Sequence, residues 1–341
     1  MLSNVNIMYM SENDPSRKFL TSINAEGEYL FYSLTPSGID RANFLDIQNL
    51  KLENAVPERI KVRDFVAPER GYPLSYIFHT AFCGSTLLSR ALNEVPRVMV
   101  LKEPDVLMQI SSQSLIVGNE NVVPYLVDCL KELSKPWAAA GSVVIKPTNS
   151  VNRIILEILD LYPGKTILLY SGLEDFLVSC FKKLPMAELK LRWMAQHLIH
   201  TTQLQKNLNV ETLHPFGFVE ACVITWYSQM EYFAKAIELD HGDNIRTLNM
   251  KDMLAKPFES VQAASLFLGL EKSDAELAKS VGREFNRNSK ALGNIYTEAE
   301  RSLEVSQVRA QYSSLLKVAL KWAEQNIAPV ARLPEHYKSL T

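Results

Sequence analysis

Apolar positions along this chain change their rhythm at Leu74. From there, short apolar runs (LSYIFH at 74–79, VMVL at 98–101, SVVIK at 142–146, TILLY at 166–170 and IRTLN at 245–249) alternate with longer stretches of helical spacing. That alternation is the signature of parallel βαβ units. Between two runs, VNRIILEILDLY at 151–162 puts Val151, Ile154, Ile155, Ile158, Leu159 and Tyr162 on one face, which predicts an amphipathic helix covering the sheet. Residues 187–208, 218–239 and 301–327 are long, periodic and free of glycine, so they predict helices that surround the sheet or cap it. Residues 1–72 mix short apolar pieces (EYLFYSL, ANFLDI) with turn and charged residues, a preface of short strands or a helix that shows no chemistry of its own. The expectation is a three-layer α/β/α domain over 73–341 with a central parallel sheet of about five strands, behind an N-terminal preface over 1–72.

The segment YIFHTAFCGSTLLSRALNEV carries the most information. It reads as a strand to His79, a loop of small residues from Thr80 to Ser85, and a helix through Leu92. A phosphate needs convergent backbone N–H donors and the positive end of a helix, and such a loop supplies both. Gly84 permits close backbone approach, while Ser85 and Thr86 can cap the helix. The plainer alternative is a helix cap after a buried strand, with no ligand. An ATPase loop would read GxxxxGK[ST], but His79 stands at its first Gly and Ser85 at its Lys. The strands end in Lys102, Lys146 and Tyr170 rather than in an Asp that would hold magnesium, which ranks magnesium-dependent hydrolysis low. Cys83, at a helix N-terminus, is a conceivable nucleophile. Without a His and Asp partner, a small packed thiol is the favoured reading.

In order of features, the chain resembles the sulfotransferase superfamily, whose loop reads P-[KR]-S-G-T-[ST]-x-L. The matching positions are Ala81, Phe82, Cys83, Gly84, Ser85, Thr86, Leu87 and Leu88. LKEPDVL at 101–107 is similar to the family's acidic-Pro element, VVIKPTN at 143–149 to its Lys-Thr-Pro element, and LYPGKTILLYSGLEDFLVS at 161–179 to its 3′-phosphate element, with Asp175 and Ser179 in place. IRTLNMKDMLAKPFESVQAASLFLGL resembles the closing strand and the helix after it. The likeness runs over roughly 74–270. It implies a P-loop-like fold, 3′-phosphoadenosine 5′-phosphosulfate as donor, no metal, and a hydroxyl or amine acceptor on a small molecule, glycan or peptide. Two departures stand out. The family's loop cation is Phe82 here, and its 3′-phosphate Arg is Ser171. An Arg pairs phosphate bidentately and a Ser does not.

Replacement cations are available in Lys102 and Lys146, at strand ends where open α/β sheets bind ligands. Arg153, Lys182 and Lys183 are further candidates, and Arg287 and Lys290 are spaced like the family's basic donor-covering loop. The resemblance implies that Ser171, Ser179, Arg287 and Lys290 join residues 81–87 in donor binding. Glu103 is the candidate general base and His79 the alternative, and Lys146 or Lys102 would stand in for the missing loop cation. Three readings therefore compete: a sulfotransferase-like transferase, a binding protein that has lost transfer chemistry, and a nucleotide-dependent kinase or NTPase.

Composition narrows the setting. The 341 residues are 47% hydrophobic and 22% charged, an ordinary globular balance. With a net charge of -2 there is no bulk basic field to collect nucleic acid or anionic lipid, so any anion site must be local. Cys83, Cys129, Cys180 and Cys222 are too widely spaced for a zinc or disulfide framework and suit free thiols in a reducing compartment. No window offers about 18 uninterrupted apolar residues. These features predict a cytoplasmic protein with neither nucleic acid nor membrane as partner, and they leave the oligomeric state open.

Overall fold

The computed structural model describes residues 16–341 apart from 70, 138–140, 209–216, 286, 289–290, 296–297 and 335–337, and the side chains of 287–298 lie outside that description. The chain opens with an antiparallel sheet of β1 (Arg17–Ile23), β2 (Glu28–Leu34) and β3 (Glu58–Lys61), with α1 (Pro36–Arg41) following β2. Next come β4 (Leu74–His79), α2 (Ser85–Leu92), β5 (Val98–Lys102), α3 (Asp105–Val117) and α4 (Asn119–Leu133). β6 (Ser142–Lys146) leads through a 3-10 turn (Asn149–Ile154) into α5 (Ile155–Leu161), and β7 (Thr166–Tyr170) follows. Helices α6 (Leu173–Phe181), α7 (Glu188–Ile199), α8 (Gln203–Asn207) and α9 (Phe218–Glu238) precede β8 (Ile245–Asn249). The remainder is α10 (Met250–Ala255), α11 (Pro257–Phe267), α12 (Asp274–Glu284), a strand pair β9 (Arg287–Asn288) and β10 (Ala291–Ile295), then α13 (Glu298–Gln311) and α14 (Ser313–Trp322).

The five apolar runs form one wholly parallel sheet in the order β5-β6-β4-β7-β8, with helices on both faces, which is the α/β/α architecture expected from the sequence. Alternate residues serve opposite faces. Met99, Leu101, Val143, Ile145, Tyr76 and Phe78 enter the large core shared with α3–α9, and Val98, Val100, Val144 and Ile77 enter the smaller core beneath α2 and α11. The same parity carries on to the strand ends. His79, Lys102 and Lys146 therefore continue the α2-side rows and finish three adjacent strands on one face. The small N-terminal sheet packs beside α3 and α4, where Gln109 Oε1 accepts from the Ile23 N–H at 2.7 Å and Tyr29 donates to Asp128 Oδ2 at 3.2 Å.

Three helical expectations are adjusted by side-chain demands. The 151–162 helix begins as the tighter 3-10 turn, in which residues three apart eclipse. Asn149 and Asn152 can then both donate to Gln229 Oε1, at 3.0 and 3.2 Å. The 187–208 stretch breaks after α7, where Thr201 has a φ of 68° and the Thr202 hydroxyl caps α8 by accepting from the Gln205 N–H. The 301–327 stretch divides at Tyr312, whose φ of -107° leaves the helical region between α13 and α14. ANFLDI forms turns rather than a strand, because its backbone is tied to the end of β5: the Leu45 N–H donates to the Lys102 carbonyl at 2.8 Å and the Asp105 N–H to the Leu45 carbonyl at 3.2 Å.

Phe78, in the central strand and 0% exposed, anchors the large core. Phe78→Ala is expected to cost about 3–5 kcal/mol of unfolding free energy, read as a lowered urea midpoint. A midpoint that does not move would contradict this packing.

Candidate functional site

The loop between β4 and α2 is held by its two ends. The Thr80 N–H donates to the Leu169 carbonyl of β7 at 3.1 Å, and the Leu87 and Leu88 N–H groups both reach the Gly84 carbonyl, at 2.9 and 3.2 Å. Between these ties the backbone takes left-handed conformations at Ala81 (φ 60°), Phe82 (φ 50°) and Gly84 (φ 77°). Two consecutive non-glycine residues there are strained, and strain of this kind concentrates at functional sites. Among the described residues, the backbone N–H groups of Phe82, Cys83, Gly84 and Thr86 have no hydrogen-bond acceptor in the protein, while that of Ser85 turns to the Cys83 sulfur. Four unpartnered donors at the positive end of a helix can cradle an anion. A Cβ at residue 84 would come 2.7 Å from Met253 Cε, so glycine there serves both the turn and the close cover of α10.

Beside the loop, three titratable groups meet at the ends of β4, β5 and β6. Lys146 Nζ, 1% exposed, donates to Glu103 Oε1 at 2.5 Å. His79 Nε2 stands 3.8 Å from the same oxygen. The Glu103 N–H donates to the Lys146 carbonyl at 2.6 Å, and its φ of 55° folds the residue over β6 so that the carboxylate, 21% exposed, faces the opening. His79 Nδ1 accepts from the Ala81 N–H at 3.2 Å, which assigns the ring proton to Nε2 on the carboxylate side. Burial first, and then the Lys146 charge, hold His79 well below its usual pKa, so it is a neutral imidazole. The cluster is a carboxylate paired with a buried lysine, with a neutral histidine behind it, beside the loop.

The expected site residues divide by where their donors go. Phe82, Cys83, Gly84 and Thr86 present free N–H groups, that of Ser85 is turned to the Cys83 sulfur, and Glu103, His79 and Lys146 meet as described. Ala81 and Leu87 do not offer theirs: the Ala81 N–H is taken by His79, that of Leu87 by Gly84, and the Leu87 side chain is in the core. Cys83 Sγ is wholly buried, and burial pushes the thiol up to about 11, so it is unreactive packing at neutral pH. Lys102 is not open toward the loop, since its Nζ donates to the Asp40 carbonyl at 2.6 Å. Ser171 is fully buried, with its carbonyl bound by Trp226 Nε1 at 2.8 Å, so the position that would meet a phosphate faces the interior. Ser179 is half-buried on α6, one turn from Asp175, which pairs with Arg309 of α13 at 2.7 Å. Lys182 pairs with Glu304, and Arg153 points into a different cavity. Lys290 and the Arg287 side chain lie outside the described residues.

Lys183, one of the candidate cations of the sequence, lies over the Phe82 ring at 5.8 Å, at α6's C-terminal end. Other neighbours of the site were not anticipated. The N-terminal region supplies the Phe44 ring 5.6 Å from Lys146 Nζ, as well as the Asp40 carbonyl. Behind the loop, Gln229 Nε2 of α9 donates to the Thr80 carbonyl at 3.2 Å, and Asn152 Nδ2 to that of His79 at 2.9 Å. The departure at Phe82 was a signal for Lys183 alone.

No family profile matches the chain, and no curated protein matches it. Solved structures similar to it are sulfotransferases. They include the sulfotransferase domain from the Synechococcus PCC 7002 olefin synthase, at 14% identity over 73% of this chain and 98% of that one, with a TM-score of 0.39. The sulfotransferase domain from the curacin biosynthetic pathway gives 13% identity over 72% and 99%, with a TM-score of 0.39. Mouse sulfotransferase SULT7A1 complexed with PAP gives 13% over 77% and 92%, at 0.36. Likenesses this loose carry no argument about the site, whose reading rests on its own residues. No helix among the described residues is long and apolar enough to cross a membrane.

The Lys102 ammonium is lowered from 10.5 to about 8, first by burial. Its folded pKa lies below its unfolded one, so the unfolded chain binds more protons between those values and stability rises with pH there. Wild-type unfolding free energy should climb by an amount on the order of 3 kcal/mol from pH 8 to 10.5 relative to Lys102→Met. Parallel curves for the two proteins in chemical denaturation would refute the assignment.

Proposed function

We propose that the chain is a sulfuryl-transfer enzyme that binds a phosphosulfate donor at the Phe82–Thr86 loop and uses Glu103 as general base. The observation that carries this reading is the set of four unpartnered N–H donors, at Phe82, Cys83, Gly84 and Thr86, beside a buried Lys146–Glu103 pair. These residues fit the phosphosulfate end of 3′-phosphoadenosine 5′-phosphosulfate. The cradle supplies fixed donors for an oxyanion, and a strained loop stabilised by its surroundings keeps them aimed without reorganisation. The bound donor would supply an electrophilic sulfuryl group.

The remaining work falls to side chains. Glu103, paired with Lys146, is exposed enough to take the proton from an acceptor hydroxyl or amine as its oxygen or nitrogen attacks. Lys146, and Lys183 over Phe82, bring positive charge to the side of the loop where the family's cation is absent. Neutral His79 is not assigned as the base: it is fully buried, its Nδ1 already accepts from the Ala81 N–H, and its Nε2 stands 3.8 Å from Glu103.

A second reading, anion binding without transfer, is favoured by Ser171. Its burial leaves the 3′-phosphate without the expected partner there, so a donor lacking that phosphate would fit as well.

Isothermal titration with 3′-phosphoadenosine 5′-phosphate, together with a transfer assay, separates these readings. Binding in the micromolar range is expected, weakened about tenfold or more by Lys146→Ala through loss of a charge-assisted contact and weakened also by Ser85→Ala. Glu103→Gln should retain binding and lose about 10²–10⁴-fold in transfer to a competent acceptor. Binding of either the bisphosphate or adenosine 5′-phosphosulfate, with no sulfuryl transfer by the unaltered protein, would favour the second reading. Binding of neither would remove both.

A further inference from the structure

Away from the loop, one strongly interacting group has no explanation in the chemistry above. Arg153 lies in the 3-10 turn after β6 and is 5% exposed. Among the described residues its one hydrogen bond runs from Nη1 to Asn119 Oδ1 at 3.3 Å, and the Glu157 carboxylate acts on it only from beyond ion-pair distance. Its Nε is buried without an acceptor. A guanidinium cannot shed its proton to escape burial, so a buried, unpaired one asks for an anion.

Arg153 forms the wall of a cavity of about 480 Å³ between the α3–α4 junction and the α7–α8 turn, where Asn119, Glu120, His200, Thr201 and Gln205 also line it. None of residues 80–86, nor Glu103 or Lys146, reaches this cavity. The polar groups around it are of both kinds. Asn119 Nδ2 donates to Glu157 Oε1, whose other oxygen, Oε2, is buried without a partner. Gln205 Nε2 is 3.4 Å from His200 Nδ1. Burial and the Arg153 charge both keep His200 from protonating, so among the described residues Arg153 is the one cation of the cavity wall. Glu120 and Glu157 stand close by and would repel a dianion. A single negative charge on a planar group suits a guanidinium edge, which binds carboxylates through two parallel N–H donors.

We propose that this cavity is a separate ligand site for a small monocarboxylate, held by Arg153 with Asn119 and Gln205 as flanking amides. It is independent of the transfer chemistry proposed at the loop, and each can fail without the other.

Titration of the full chain with benzoate, benzamide and inorganic phosphate tests it. Saturable benzoate binding is expected, at least tenfold tighter than either benzamide, its uncharged counterpart, or phosphate. Arg153→Gln should weaken benzoate at least tenfold, with Arg153→Lys in between because the charge stays while the planar fork is lost. Ser85→Ala should leave benzoate binding unchanged. Should Arg153→Gln not fold, two measurements still decide: Gln205→Ala at the rim must weaken benzoate, and the His200 imidazole resonance of the unaltered protein must shift on titration. No saturable benzoate binding, equal binding in Arg153→Gln, phosphate binding tighter than benzoate, or an unmoved His200 resonance would each overturn the proposal.

Discussion

Two lysines end neighbouring parallel strands in register, and the surrounding structure is arranged around that fact. Lys102 and Lys146 face each other across β5 and β6 and are each 1% exposed. Neither can be left without a partner at such depth, and two ammoniums side by side repel. The chain resolves this by separating their partners. Glu103 adopts a left-handed backbone conformation that lays its carboxylate on Lys146, while the N-terminal region comes across the end of β5 so that the Asp40 carbonyl can receive Lys102. Docking of that region is fixed further by the Leu45–Lys102 and Asp105–Leu45 backbone bonds and by Asn93 Nδ2 on Asp40 Oδ1 at 2.5 Å. A carboxylate poised at the opening is thus a by-product of neutralising a buried cation.

The same economy appears in the loop. Left-handed backbone at Ala81 and Phe82 is costly, and it persists because both ends are clamped: Thr80 to β7 and α9, and Gly84 to the first turn of α2. Gln229 links this clamp to the 3-10 turn through Asn149 and Asn152, so that one α9 side chain ties the β4–α2 loop to the segment after β6. That turn also carries Arg153 on its far side. The β4–α2 loop and the Arg153 cavity therefore border one segment without sharing residues.

Much of the architecture was legible in the linear sequence. All five strands stand where the apolar runs are, because a strand buried on both faces must be apolar at nearly every position, and five such runs spaced by helices admit few arrangements. The helix boundaries were less legible. The start of the α5 region is set by where Asn149 and Asn152 find Gln229, about eighty positions later in the chain, and no local pattern reports that. At the site, the loop and the three titratable residues beside it could be picked out because glycine, hydroxyls and charges interrupt apolar runs at strand ends.

What only tertiary structure decided is which of those groups remain free. The sequence by itself determined the parallel α/β core, the position of the β4–α2 loop and the presence of charge at the strand ends, since these follow from local spacing and from the period of side-chain directions. It could not distinguish Lys146, which meets Glu103, from Lys102, which meets a backbone carbonyl of the N-terminal region, because both end identical-looking strands. Nor could it separate Thr86, whose N–H is open, from Ser171, which is sealed beneath Trp226. A charge or a hydroxyl is made functional by what long-range packing leaves unpaired, and pairing is settled between residues far apart in the chain.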